Sequence, residues 1–203
     1  MSDRQIRDEV FTILLAGHET VALALTWAWY LLAFHPHVED RLQAELSAKL
    51  AGRTPAVEDL AALPYTRLVL EEAMRLFPPI WAVPRAALAD DEIVGFHIPA
   101  GSLIFASQYL AHRHPDFWES PATFDPERFA PDRAERARRA YFPFGEGARS
   151  CMGVHFAMVG MCLVLATVAQ RYQLRLVDGA PIEPTSMVSL HPSRDVLAIV
   201  ETR

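Results

Sequence analysis

A short loop near residue 150 carries the residues best suited to chemistry in this 203-residue chain. The loop fits the pattern F-x-x-G-x-R-x-C-x-G, with members Phe144, Gly147, Arg149, Cys151 and Gly153. A thiolate ligates metals, and it stays ionised when backbone N–H groups at a helix N-terminus point at its sulfur. The apolar run after the loop predicts such a helix. The alternative is a glycine-rich turn with a buried cysteine. It is disfavoured because, from the composition of this chain, the five residues should occur at this spacing by chance on the order of 10⁻⁵ times in a chain of this length.

A second group of polar residues interrupts the apolar stretch near the N-terminus, where residues 16–20 read A-G-H-E-T. A carboxylate and a hydroxyl in an otherwise apolar helix can deliver protons to a water-poor pocket. Gly17 would permit local unwinding, and the Thr20 hydroxyl can donate to the Ala16 carbonyl. The alternative is a polar break in an amphipathic helix. A zinc-protease pattern is excluded, because its second histidine would fall at Ala22.

A third motif is the E-x-x-R pair formed by Glu72 and Arg75. Such a pair usually lies on the surface of a helix as an ordinary ion pair. Here Leu68 and Leu76, four residues to either side of Glu72, place the carboxylate on an apolar face. An unpaired charge would be costly there, so we predict a buried and paired Glu72.

Taken together, these motifs resemble the cytochrome P450 family of haem-thiolate monooxygenases, in the family's order and from about residue 3 to about residue 201. The resemblance implies haem b as the cofactor, with Cys151 as the axial ligand of its iron. It implies that Glu19, Thr20 and Gly17 lie over the opposite haem face as the catalytic residues. The implied cofactor-binding residues are Phe144, Gly147, Arg149, Cys151, Gly153, Arg85 and Ala16.

The resemblance also adds a structural residue and a weaker set of pocket residues. Arg128, within the segment P-E-R-F, occupies the place of a third partner for Glu72 and Arg75. We assign this triad to structure and to assembly of the haem site, since one carboxylate held by two guanidiniums satisfies a buried charge. The residues implied to border the substrate are Ile80, Trp81, Ala82, Val83, Met187 and Val188.

The fold class expected is mainly α with small β-sheets. Hydrophobic periodicity and prolines predict helices, β-hairpins, a long coil and C-terminal strands. The helices are expected at 6–34, 38–50, 64–77 and 154–172, the hairpins at 80–105 and the coil at 114–143. The resemblance implies the C-terminal half of the cytochrome P450 fold, from the long oxygen-binding helix through the cysteine-ligand loop to the final helix and strands. Residues 1–203 would then form a single partial domain, the haem-binding portion, with the N-terminal half of the fold absent.

Composition limits the partners and the compartment. The net charge of −6 argues against a nucleic-acid partner. Cys151 and Cys162 are too far apart along the predicted helix to bridge, which favours a reducing cytosol. The apolar residues 10–34 resemble a membrane span, but the carboxylate near their middle favours a long buried helix. We therefore expect a cytoplasmic protein, in which any membrane anchor would lie in the missing N-terminal part.

These observations lead to one main function and two alternatives. The main expectation is a monooxygenase that inserts one oxygen atom into a hydrophobic small molecule with electrons from a ferredoxin or a flavin reductase. One alternative keeps the haem-thiolate fold but uses peroxide, which the acid–alcohol pair argues against. The other is a non-catalytic helical fragment that cannot hold haem alone and associates through the surface left exposed by the missing half.

Overall fold

Prolines and caps set the ends of the helices in the computed structural model, which describes residues 1–133 and 140–203. The predicted helices are confirmed, with ends within three residues of those expected. Pro36 and Pro64 each occupy the first turn of a helix, where the missing N–H costs nothing. Ser2 and Gln5 form a capping box that starts the first helix earlier than predicted. The helices are α1 (Asp3–Phe34), α2 (Pro36–Leu50), α3 (Pro64–Leu76), α4 (Gln108–Ala111) and α5 (Val154–Arg171).

The core is helical, with α1, α2, α3 and α5 packed on one another. Its centre is Trp27 of α1, which is fully buried and stacks on Phe77 with ring centroids 4.0 Å apart. Leu70 of α3 and Leu165 of α5 are also fully buried. Burial of such large apolar side chains contributes about 1.5–3 kcal/mol each and fixes the relative positions of these helices.

The strands form small antiparallel pairs, as the short β-like runs predict. Strand β1 (Val83–Ala86) pairs with β4 (Leu103–Ala106), and β2 (Asp91–Ile93) pairs with β3 (Phe96–Ile98). Near the C-terminus, β5 (Tyr172–Leu176) pairs with β8 (Ala198–Thr202), and β6 (Pro184–Ser186) pairs with β7 (Leu190–Pro192). The β6–β7 hairpin is tied to the core, because Trp27 Nε1 donates to the Leu190 carbonyl at 3.0 Å.

Among its described residues, the predicted coil after α4 is largely irregular, but it includes a short helical segment. A 3₁₀-helix spans Pro126–Phe129 and carries Arg128 into the interior, where it is 7% exposed. Residues 134–139, near the C-terminal end of the predicted coil, lie outside the described residues.

One prediction about α1 is wrong in its first half. Residues 3–19 are exposed, whereas burial begins at Leu23 and continues to Leu32. The exposed part carries large apolar side chains, including Phe11 at 57% and Leu15 at 67% exposed. A long apolar helix was predicted to be buried, but within the described residues nothing packs over this face. By length and composition, α1 and α5 could each span a membrane, as core helices of soluble proteins also can.

Candidate functional site

The cysteine loop is closed by a backbone hydrogen bond from Cys151 N–H to the Phe144 carbonyl at 2.8 Å. Gly145 and Gly147 have φ values of 71° and 73°, a left-handed conformation that glycine adopts without strain. The requirement for glycine at 147 is therefore conformational. The closed loop presents the Cys151 side chain as an exposed free thiol.

Cys151 lies directly before the N-terminus of α5. Gly153 is the N-cap residue of this helix and supplies no side-chain cap, so backbone N–H groups remain available in its first turn. The positive end of the helix dipole favours an anion there. An ideal Cβ built on Gly153 would lie 3.8 Å from the Cys151 sulfur, which is an ordinary contact. The arrangement suits an exposed thiolate that ligates a metal.

The second cysteine has the opposite environment. Cys162 is a free thiol within α5 and is 6% exposed. Burial raises the pKa of this thiol to about 11. It is therefore a core residue, as the sequence predicts, and it provides a matched control for experiments on the exposed cysteine.

The Glu72, Arg75 and Arg128 side chains meet in the interior. Arg75 Nε and Nη2 donate to the two carboxylate oxygens of Glu72 at 2.7 and 2.8 Å. Arg128 Nε donates to Glu72 at 3.1 Å, and the Asp125 N–H donates at 3.0 Å. Burial raises the pKa of Glu72, and the hydrogen bonds and charge of Arg75 oppose that rise. Four donors thus satisfy a carboxylate that is fully buried.

The two arginines of the triad also hold the coil that follows α4. Arg75 donates to the carbonyls of His112, Pro121 and Thr123 at 2.8 to 3.0 Å. Arg128 donates to the carbonyls of Glu119 and Ser120. These hydrogen bonds fix the path of the coil and give its carbonyls donors that no regular secondary structure supplies among the described residues of this segment.

His112, which the sequence analysis did not single out, links the triad to the cysteine loop. Its carbonyl accepts from Arg75, and its Nε2 accepts from the Phe142 N–H at 3.0 Å, two residues before the loop. The ring is fully buried. Burial lowers the pKa of His112 to about 3, and the neighbouring charge of Arg75 adds to this effect. The His112 ring is therefore neutral when its Nε2 accepts the hydrogen bond from the Phe142 N–H.

A pH dependence of stability follows for His112. A histidine in the unfolded chain titrates near pH 6.5, so below that pH the unfolded chain binds a proton that the folded chain excludes. Stability attributable to this residue is complete above about pH 6.5 and is lost as the pH falls, by up to about 1.4 kcal/mol per pH unit. We expect His112→Gln to flatten the fall in unfolding free energy between about pH 6 and about pH 4, measured by urea titration.

The neighbouring His114→Gln variant is the control, because the His114 side chain is 53% exposed. Its pH profile should match that of the unaltered chain. Equal slopes for the His112→Gln chain and the unaltered chain would contradict a neutral buried ring.

The acid–alcohol pair lies on the continuous helix α1. The Thr20 hydroxyl donates to the Ala16 carbonyl at 2.7 Å, as predicted. The local unwinding that Gly17 would permit does not occur in this structure, where α1 stays helical through this residue. Thr12 makes the same bond to the Asp8 carbonyl, so the bond alone does not distinguish Thr20.

Glu19 lines an open cleft of about 710 Å³ between α1 and the β6–β7 hairpin. Met187 and Val188, at the tip of the hairpin, line the same cleft. Trp81 Nε1 donates to the Met187 carbonyl at 2.9 Å, which brings together two of the predicted pocket segments. The wall is mostly apolar. The described residues that line it are Leu15, His18, Glu19, Ala22, Leu23, Thr26, Met187, Val188, Ser189 and His191.

The other predicted site residues are placed as follows. Arg85 is exposed on β1 and donates to the Pro84 carbonyl, and Arg149 is exposed at the end of a 3₁₀ turn. Neither guanidinium forms an ion pair within the described parts of the chain. Phe144 is half-buried and packs on the main core. Ile80, Ala82 and Val83 are half-buried beside Trp81 and do not line the cleft; Ala16 is exposed on α1.

Comparisons with known proteins give one consistent result. The family model named Cytochrome P450 matches residues 1–199. Cyclooctatin synthase of Streptomyces melanosporofaciens is 44% identical over 191 residues, covering 94% of this chain and 42% of that protein. Pentalenene oxygenase of Streptomyces avermitilis is 37% identical over 196 residues, covering 96% of this chain and 44% of that protein.

A solved structure supports the same relationship. A crystal structure of a cytochrome P450 (CYP102L1) superposes with a TM-score of 0.90 at 30% sequence identity. The match covers 100% of this chain and 46% of that one. This chain therefore spans somewhat less than half the length of the proteins it resembles.

Proposed function

Since the chain belongs to the cytochrome P450 family, we propose that it is the haem-binding portion of a haem-thiolate monooxygenase. The reaction is insertion of one atom of dioxygen into a hydrophobic organic molecule, with electrons from a redox partner. The observation that carries the proposal is the closed loop that presents an exposed Cys151 thiol at the N-terminus of α5.

The residues around the loop fit haem b. Cys151 would ligate the iron, and the half-buried Phe144 would shield one side of the sulfur from water. Arg149 and Arg85 have guanidiniums that no carboxylate engages among the described residues, and each would bind a haem propionate. Gly147 and Gly153 shape the loop, and Ala16 of α1 would contact the opposite haem face.

When bound, the haem would activate dioxygen, with the thiolate favouring O–O cleavage. The chain's own residues would exclude water and supply protons. Glu19 would hold a proton at its carboxylate in the mostly apolar cleft, and the Thr20 hydroxyl would pass it on. The buried triad of Glu72, Arg75 and Arg128 would keep the coil and the ligand loop in place.

The substrate proposed is a hydrophobic small molecule. The cleft tip residues Met187 and Val188 and the neighbouring Trp81 would contact it, with Ile80, Ala82 and Val83 beside them. The names of two relatives, cyclooctat-9-en-7-ol 5-monooxygenase and pentalenene oxygenase, specify alkenes and support this class. The electron donor proposed is a ferredoxin or a flavin reductase, and the compartment proposed is the cytoplasm.

The test is the absorption spectrum of the reduced, carbon-monoxide-bound chain after expression with added haem. A strongly red-shifted Soret band, the signature of a thiolate-ligated carbonyl, is the expected result. Haem uptake without this shift would overturn thiolate ligation by this chain. A soluble chain without haem would favour the non-catalytic alternative.

Thr20→Ala tests the proton relay. We expect about a tenfold fall or more in product formed per electron consumed, because a positioned proton donor contributes roughly 10²–10⁴-fold. The measurement is the amount of product and of peroxide formed per electron consumed, in the haem-loaded chain supplied with a chemical electron donor. The ratio of product to peroxide follows from it. Thr12→Ala removes the same backbone bond at an exposed position of α1 and should leave the ratio unchanged. Indifference to Thr20→Ala would instead support a peroxide-using enzyme.

The exposed apolar face of α1 favours a second candidate, a helical fragment that works by association. Phe11, Leu14 and Leu15 are each 57% exposed or more. An exposed apolar patch of this kind promotes association. We expect Leu14→Lys with Phe11→Lys to lower the sedimentation coefficient of the purified chain. The control is substitution of Leu88 and Val94 by lysine, since both are exposed in the β-hairpin region. An equal fall in the sedimentation coefficient of this control would contradict association through α1.

A further inference from the structure

A polar contact joins the carboxylate of α1 to the β6–β7 hairpin. His191 Nε2 lies 3.1 Å from Glu19 Oε1, and both side chains line the cleft. Their side chains are 32% and 50% exposed, so the pair sits at the mouth of the cleft with access to water. The hydroxyl of the adjacent Thr20 is engaged elsewhere, by the Ala16 carbonyl. His191 is thus the side chain that holds the Glu19 carboxylate in this structure.

The same ring nitrogen also contacts Ser189, whose Oγ lies 3.0 Å from His191 Nε2. A nucleophilic serine triad requires the acid and the serine to bond opposite nitrogens of the ring. Because both contacts use Nε2 here, these three residues do not form such a triad. The geometry instead brings the Nε2 atom of the ring within hydrogen-bonding distance of the carboxylate, with the buried hydroxyl of Ser189 beside it.

The backbone that carries His191 is firmly anchored. The adjacent Leu190 is 3% exposed, its carbonyl accepts from Trp27, and its N–H donates to the Pro79 carbonyl at 2.8 Å. The hairpin tip is different, because Met187 is 65% exposed and Val188 is 88% exposed. The anchored His191 can therefore orient the Glu19 carboxylate, and the hairpin tip beside it lines the cleft.

We infer that His191 is the positioning residue for Glu19 and fixes its carboxylate at the mouth of the cleft. The consequence for catalysis rests on the proposed function, in which Glu19 supplies protons. Without His191 the carboxylate rotates into water, and protons reach the site less efficiently. The contact itself belongs to the chain and is measurable without haem.

The contact is tested by nuclear magnetic resonance of the chain with ¹⁵N-labelled histidine. The ring signals of His191 are assigned by their loss in His191→Gln. A half-exposed ion pair adds little stability, so a spectroscopic readout is needed. Glu19→Gln should move the Nε2 signal of His191, whereas Glu9→Gln, on an exposed position of the same helix, should not. An unmoved signal in Glu19→Gln overturns the inference.

The catalytic consequence is tested separately in the haem-loaded chain. His191→Gln should raise peroxide relative to product by about tenfold, since small misplacements of reacting groups carry large penalties. His191→Lys supplies a cationic side chain at the same position to hold the Glu19 carboxylate and should restore part of the coupling. His97→Gln, which alters an exposed histidine on β3, controls for loss of an imidazole away from the cleft. If Thr20→Ala uncouples the reaction but His191→Gln does not, the inference fails while the proposed function stands. If neither the unaltered chain nor any variant forms product, the proposed function fails. The resonance experiment then still shows whether His191 contacts Glu19.

Discussion

Arg75→Leu is expected to lower the free energy of unfolding by about 3–5 kcal/mol, the usual effect of removing one partner of a buried ion pair. Arg75 and Glu72 are both fully buried, and the change leaves the carboxylate with only Arg128 and one backbone donor. It also removes the donors for the carbonyls of His112 and Pro121, and the shorter of the two hydrogen bonds to the Thr123 carbonyl. Urea unfolding at neutral pH, followed by circular dichroism, measures the loss.

The same helix offers a matched control. Arg67 pairs with Glu71 at 2.8 Å, but its side chain is 63% exposed. Such a surface pair contributes about 0.3–0.5 kcal/mol, so Arg67→Leu should have a small effect. Similar losses for the two variants would contradict a structural role for the buried triad.

Cys151→Ser is expected to abolish the red-shifted Soret band of the reduced carbonyl form completely. A serine hydroxyl remains protonated near neutral pH and cannot replace a thiolate. The change is at an exposed position, so the fold should persist. The absorption spectrum of the haem-loaded variant measures ligation, and circular dichroism reports whether the helices remain.

Cys162→Ala is the control for this experiment. This cysteine is buried in α5, and its loss should reduce stability modestly while the red-shifted band remains. Loss of the band in Cys162→Ala, with the band retained in Cys151→Ser, would contradict the assignment of the ligand.

Local signals account for what the sequence predicts well. Pro36 and Pro64 mark where helices begin, and the apolar neighbours of Glu72 indicate its burial before its partners are known. The family motif supplies Arg128, whose contact with Glu72 depends on the path of a coil that has no periodic pattern. The helix that follows the cysteine loop is evident from its mostly apolar sequence.

Contacts between distant residues account for most of what the sequence does not reveal. His112 bonds Phe142 across 30 positions, and His191 reaches Glu19 from the opposite end of the chain. The residues next to these two histidines in the sequence give no signal of their distant partners. The exposure of the first half of α1 contradicts a fully buried helix, but it agrees with the expectation of an exposed apolar surface that favours association. An apolar pattern shows that a face needs cover without showing what covers it.

The path of polar contacts behind the cysteine loop has a consequence for biosynthesis. Glu72, Arg75 and His112 all precede the loop, and they form one connected set of hydrogen bonds that ends at Phe142. A chain emerges from the ribosome N-terminal end first. Glu72, Arg75 and His112 are thus synthesised before Cys151. The residues that hold the loop in place are already present when the cysteine is added to the chain.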